Sequence, residues 1–169
     1  APAGGAAAAS GDLHTFEMAE GGKRGGKLGD AVSECFGKES KAAADGVTPL
    51  CSGVTVGGWD SVMVYVGMMS DKLSAKAECT EAAAHNHIVR SGELGAAVRP
   101  ARVKVHSHGR GFVAPLEGAK DARRDLLGRV INADGVPYAV VHRYSAFGKL
   151  SEQYKKQYPI IADGELHGK

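Results

Sequence analysis

Four groups of residues in this 169-residue chain have types and spacings that bear on chemistry. The first is the run HRYSAFGKLSEQYKKQYP at 142–159, where His142, Arg143, Tyr144 and Ser145 directly precede a helix-like pattern. A guanidinium forks onto phosphate oxygens, and a helix N-terminus beside it offers free amide donors and the positive end of a dipole. Together they form a receptor for a negatively charged group. The second is GGKRGGK at 21–27, which has the G-x-x-x-x-G-K spacing of a phosphate-cradling loop. Leu28 stands where a hydroxyl should reach magnesium, and LHTFEM at 13–18 is too polar for a buried central strand. It reads as a basic loop, and nucleotide hydrolysis drops out.

The third group is His-x-His, which occurs twice. On a helix His85 and His87 lie about 200° apart and cannot share a metal. On a strand His106 and His108 share a face, but Arg102, Lys104 and Arg110 share it too and no third ligand is near in sequence. No metal site is assigned. The fourth is Cys35, Cys51 and Cys79, odd in number and without Cys-x-x-Cys, which read as buried free thiols with one disulfide left open. No hydrolase elbow and no Ser/His/Asp signature appears, so no catalytic residue and no cofactor is assigned. An enzymatic role is left undecided.

The elements that must position these residues follow from patterning. LHTFEM suggests a short strand, and Asp30 is expected to cap a helix over AVSECFGKESKAAAD. GVTVGG and SVMVYVG (61–67) read as two strands, the second rich in Val and Tyr. A long helix is predicted from Ser70 or Asp71 to Arg90, its alanine face needing a closely packed neighbour. After Arg99 and Pro100, ARVKVHSHGR alternates as a half-buried strand with a basic face. Asp134-Gly135 between two apolar runs marks a hairpin, with Pro137 opening its second strand. Ser145 is the expected cap of a last helix whose Phe147, Leu150, Tyr154 and Tyr158 share one face, ended by Pro159.

The net charge of +2 conceals an asymmetry. Residues 1–98 hold 8 Lys/Arg against 12 Asp/Glu, and residues 99–169 hold 13 against 7. The second part therefore favours an anionic partner, a lipid headgroup or an acidic protein surface. Its few aromatics are mostly taken by one helix face, which argues against nucleic acid. No apolar run approaches the roughly 20 residues that span a bilayer. The opening APAGGAAAAS has little to bury and reads as a tail (1–12) that is disordered or pinned by a partner, and one origin for it is removal of a transit peptide.

GRVINADGVPYAVVHRYSAFGKLSEQYKKQYP resembles the first half of a PX (phox homology) domain, over residues 128–159; residues 1–98 resemble no such family. That family has a hairpin whose second strand runs into R-R-Y-S-x-F, then a helix with an aromatic-Pro ending. The resemblance implies a phosphoinositide-binding module, with Arg143 on the 3-phosphate, Tyr144 beside the inositol ring, Ser145 as cap and polar contact, and Lys149, Lys155 and Lys156 toward acidic lipid. His142 replaces the first Arg, Ala146 replaces the usual acidic residue, and Lys169 would stand for the lysine ending the membrane loop.

The expected architecture is α+β, a mainly antiparallel sheet with two or three helices packed on it, divided into 13–98 and a basic module at 99–169. The expected function is peripheral binding of an anionic phosphoinositide headgroup, in the cytoplasm at a membrane surface. The alternative is a non-catalytic accessory or scaffold subunit of a larger, organellar assembly. Headgroup binding needs the Arg143 guanidinium open to solvent; a scaffold role permits it a carboxylate partner such as Asp125 or Asp163.

Overall fold

The computed structural model describes residues 11–19 and 25–157. Of the tail expected at 1–12, residues 1–10 lie outside the described residues, as do residues 20–24 and the expected roles of Tyr158, Pro159, Asp163 and Lys169; Asp12 is held in place by Arg102 and Lys104. The fold is α+β. Strand β1 (Leu13–Phe16) is the middle of a three-stranded sheet, with β2 (Val56–Gly57) antiparallel on one side and β3 (Val103–His106) parallel on the other. Being central, it buries Leu13, Thr15 and Phe16 almost completely. Arg102 and Lys104 flank Asp12, and hydrogen bonds from Lys104 and from the Arg102 amide hold that carboxyl down to about 2.

Between β1 and β3 the chain makes a helical excursion: α1 (Gly25–Phe36), α2 (Lys38–Lys41), α3 (Trp59–Ala75), α4 (Glu81–Arg90) and α5 (Glu93–Ala97). Leu13, Tyr65, Ile88, Leu94 and Val98 form the core under the sheet. The alanine face of α4 meets α1, where Ala83 packs among Leu28, Val32 and Ala44. The small side chains let the two helices approach closely, which is how a face with little apolar area still becomes fully buried.

A second, parallel pair joins β4 (Val113–Pro115) to β5 (Val140–His142). A 3-10 turn at Tyr144–Ala146 leads into α6 (Gly148–Gln157). Ala114, Leu116, Ala122, Val130 and Leu150 make a separate core there. Because β3 pairs with β1 along its whole length, the division expected near residue 99 is crossed by the first sheet.

Several expected elements differ. The sheets are mixed, with β1/β3 and β4/β5 parallel, and there are six α-helices among the described residues rather than two or three. SVMVYVG is helical despite its β-favouring residues, because Val62, Tyr65 and Met69 at helical spacing meet the core of Ile88 and Leu94. The long helix to Arg90 is broken at Lys76 to Thr80, where Cys79 is bonded to Cys35 and the Thr80 hydroxyl accepts from the Ala83 amide at 3.2 Å to start α4 afresh. Two of the three cysteines are thus a disulfide, and Cys51 is the free thiol. Asp30 is no cap: it lies inside α1 and pairs with Lys41 at 2.7 Å. Ser145 does not cap α6, because the 3-10 turn absorbs it and the helix begins three residues later. The Asp134-Gly135 turn does form, with the Asn132 side chain accepting from the Asp134 and Val136 amides, but only the Ile131–Pro137 pair bridges around it.

Candidate functional site

A cavity of about 540 Å³ opens between α1, the start of α4 and the end of β5. Cys51, Gly53, Glu117, His142 and Arg143 line it, with Lys27 and Glu81 at its charged margin. The chain positions Cys51 from both sides. Its amide donates to the Phe16 carbonyl at 2.8 Å, beside the antiparallel Glu17–Leu50 bridge that runs on past the end of β1. The preceding Leu50 is gripped by the buried Asn86 of α4, whose Oδ1 accepts from the Leu50 amide at 2.8 Å and whose Nδ2 donates to the Leu50 carbonyl at 3.1 Å. An amide side chain can hold both backbone groups of one residue only when each of its atoms is aimed, so Asn86 works as a clamp.

His142 ends β5, where its carbonyl accepts from the Leu116 amide at 3.0 Å. Its Nδ1 lies 3.4 Å from Cys51 Sγ. The imidazole rests directly against Gly53, where an added Cβ would stand 2.5 Å from Cε1. A methyl there would push the ring aside, so the present seat of the imidazole depends on the glycine. Burial pushes the Cys51 thiol up; the Gly53 and Val54 amides that point at the sulfur oppose this, Glu117 adds to it, and Arg143 opposes it.

Arg143 has φ 64° and ψ 28°, which makes it the only non-glycine residue in the left-handed region among the described residues. For an arginine that conformation costs about 1–2 kcal/mol. It turns the chain so that successive side chains part company. Arg143 goes to the cavity mouth and remains 56% exposed, with Nη2 3.4 Å from Glu117 Oε2. Tyr144 turns the other way, onto the Tyr154 ring at a centroid distance of 5.2 Å within the second core.

Of the residues expected to share an anion site, the structure places Arg143 at this cavity and Tyr144 in packing. Ser145 is exposed on the 3-10 turn, and Lys149 lines a smaller, different hollow with Phe147 and Asp121. Lys155 and Lys156 are exposed on the last turn of α6. Asp125 is occupied by Arg129 at 2.7 Å, so the carboxylate near Arg143 is Glu117. His106 turns inward to stack between His14 and Phe16, away from any pairing with His108, and no group of three metal-ligating side chains occurs among the described residues.

Sequence reasoning assigned no role to Cys51, Gly53, Asn86 or Glu117. Their sequence signal was slight: a Cys-Ser-Gly triplet and a histidine where the PX pattern has arginine. No protein-family model matches the chain, and neither the curated proteins nor the solved structures contain a match. Among the described residues no helix is long and apolar enough to cross a membrane.

Proposed function

We propose that this protein binds a phosphorylated, anionic headgroup in the PX manner, through Arg143 at the cavity mouth. The observation that carries the reading is the strained backbone of Arg143: a long cation is held in a conformation suited to glycine, and the result is an exposed guanidinium over a cavity. Strain of this kind persists where position matters more than stability. The Glu117 contact, at 3.4 Å, is longer than the 2.7–2.9 Å of a charge-assisted bond, so a phosphate carrying more charge competes well for the same fork. Lys27 and His142 lie on the same cavity and add donors. On this reading the chain works at a cytoplasmic membrane surface.

The test is co-sedimentation of the chain with vesicles that contain or lack phosphatidylinositol 3-phosphate, comparing wild type with Arg143→Ala. Wild type should pellet with the phosphoinositide vesicles and the variant should stay in solution. Equal pelleting in all four conditions overturns the proposal.

A second reading, an accessory subunit of a larger assembly, is favoured by α3. On its exposed side, beside the polar Asp60, Ser70 and Asp71, Trp59 is 76% exposed and Met63 and Val66 are about half exposed, at spacings of four and three. Large apolar side chains exposed together along one line of a helix mark a contact surface. On this reading the chain sedimented from its native source travels in a complex well above its 17.5 kDa, and Met63→Ser together with Val66→Ser releases it. Native sedimentation as a monomer overturns it.

A further inference from the structure

The cavity holds a second chemistry that does not depend on headgroup binding. We infer that Cys51 and His142 form a nucleophile and base pair for acyl transfer, acting on a carboxylic ester or thioester whose acyl chain enters the apolar side of the cavity. The grounds are geometric. Cys51 is the free thiol beside a chain whose other two cysteines are joined. Its sulfur is 3.4 Å from His142 Nδ1, within the reach a nucleophile and its base need before a substrate tightens the contact. Both residues are held independently: Cys51 by the Asn86 clamp on Leu50, His142 by the ladder of β5 and by the glycine floor at Gly53.

The surroundings suit an acyl donor. Met18, Leu28, Ala31 and Leu50 give the cavity an apolar wall. The Gly53 and Val54 amides face the sulfur and favour its thiolate, which eases loss of the proton to a base as the sulfur attacks. The thiol is protonated at rest, as burial dictates, so the step depends on a base. With the hydrogen of the neutral ring on Nε2, His142 Nδ1 takes the Sγ proton while the sulfur–carbon bond forms at the carbonyl. The bond from that carbon to the leaving oxygen or sulfur then breaks, and the imidazolium returns the proton to the departing group. Water, giving a proton to His142, attacks the resulting thioester. The carbon–sulfur bond breaks, the sulfur regains its proton, and a carboxylic acid leaves.

The probe is p-nitrophenyl butyrate with the intact chain, read by release of p-nitrophenolate and by mass mapping of a butyryl adduct. The wild type should release nitrophenolate and carry the adduct on Cys51. Cys51→Ala should release it no faster than buffer, and His142→Ala should be about a hundredfold slower than wild type, with recovery on adding imidazole. Retained turnover in Cys51→Ala overturns the inference. So does unchanged or faster acylation in His142→Ala, since a histidine that merely shields the thiol would, once removed, speed its reaction. Should either variant fail to fold, the wild type alone decides: alkylation with iodoacetamide must abolish turnover, and the absence of any Cys51 adduct refutes the pair. Vesicle binding plays no part in these readouts, so this inference and the headgroup proposal fail separately.

Discussion

Acid should weaken this protein over a window set by one histidine. His85 lies on α4 with no exposed surface, its Nδ1 2.9 Å from the Tyr65 hydroxyl and its Nε2 without a hydrogen-bond partner among the described residues. A proton added to the ring would place a charge where neither water nor a carboxylate compensates it. Burial, and after it the nearby Arg90, holds the His85 pKa down to about 4, against an ordinary 6.5. In the unfolded chain the ring binds its proton as pH falls through 6.5, whereas the folded protein binds it only near 4. The unfolded state therefore holds more protons between those values, and stability falls as pH falls through the window. Integrating the difference gives a loss of about 2 kcal/mol by pH 5 and about 3 kcal/mol by pH 4, relative to pH 7.5. That is a large share of the 5–15 kcal/mol typical of a domain.

Urea denaturation at pH 7.5, 6, 5 and 4 of wild type and His85→Gln measures it. Glutamine lowers stability at every pH, because Tyr65 loses its partner and the packing changes, so the offset is uninformative and the slope is the result. His106, whose pKa is also lowered, first by burial and then by His14 and Lys104, adds a pH dependence of the same sign to both proteins. The variant should lose about 3 kcal/mol less than wild type between pH 7.5 and 4. Parallel slopes in the two proteins would refute the reasoning.

Three further outcomes follow from the geometry. Arg143→Gly relieves the left-handed backbone, so it should raise the urea midpoint by an amount equivalent to about 1 kcal/mol while abolishing phosphoinositide pelleting; a destabilised variant would contradict the strain. Asn86→Ala strips the clamp from both backbone groups of Leu50 and should cost about 2–4 kcal/mol, seen as a fall in Tm, with an unchanged Tm showing that other contacts hold this segment. Gly53→Ala places a methyl 2.5 Å from His142 Cε1, so the ring must move; proton NMR should show a displaced His142 signal and the nitrophenolate release should drop, whereas an undisturbed ring would contradict the close seat.

The sequence was informative where a signal is local and misleading where the partner is distant. The Asp134-Gly135 turn was legible because the Asn132 side chain and a positive-φ glycine complete it within a few residues. The helix carrying His85 and His87 was legible from its alanines, although its start was not, because the break at Lys76 to Thr80 is made by a cap and a disulfide rather than by a proline or glycine. Val62, Val64, Tyr65 and Val66 look like a strand, and only the core formed with Ile88, Leu94 and Val98 makes the helical choice favourable. At the site, Arg143 was legible as a cation before a helix. Its departure from Tyr144 was not, since that rests on one residue's φ. Cys51 and His142 stand 91 residues apart and share no spacing that could have paired them.

The parallel seat of β3 against β1 bears on how the chain reaches this state. Leu13 meets Val103 only after the whole helical excursion has been made, and closing a loop of that length costs about 4 kcal/mol beyond a constant before the ladder forms. During synthesis β1 emerges before β3 and waits for it, its apolar Leu13 and Phe16 uncovered, with the two residues of β2 as its first strand neighbour. The helices between them depend on nearer contacts, α1 with α4 and α3 with α5, and these can assemble first. The sheet would then close last around a preformed helical half, so refolding speed should depend on the arrival of the 103–106 segment more than on any helix.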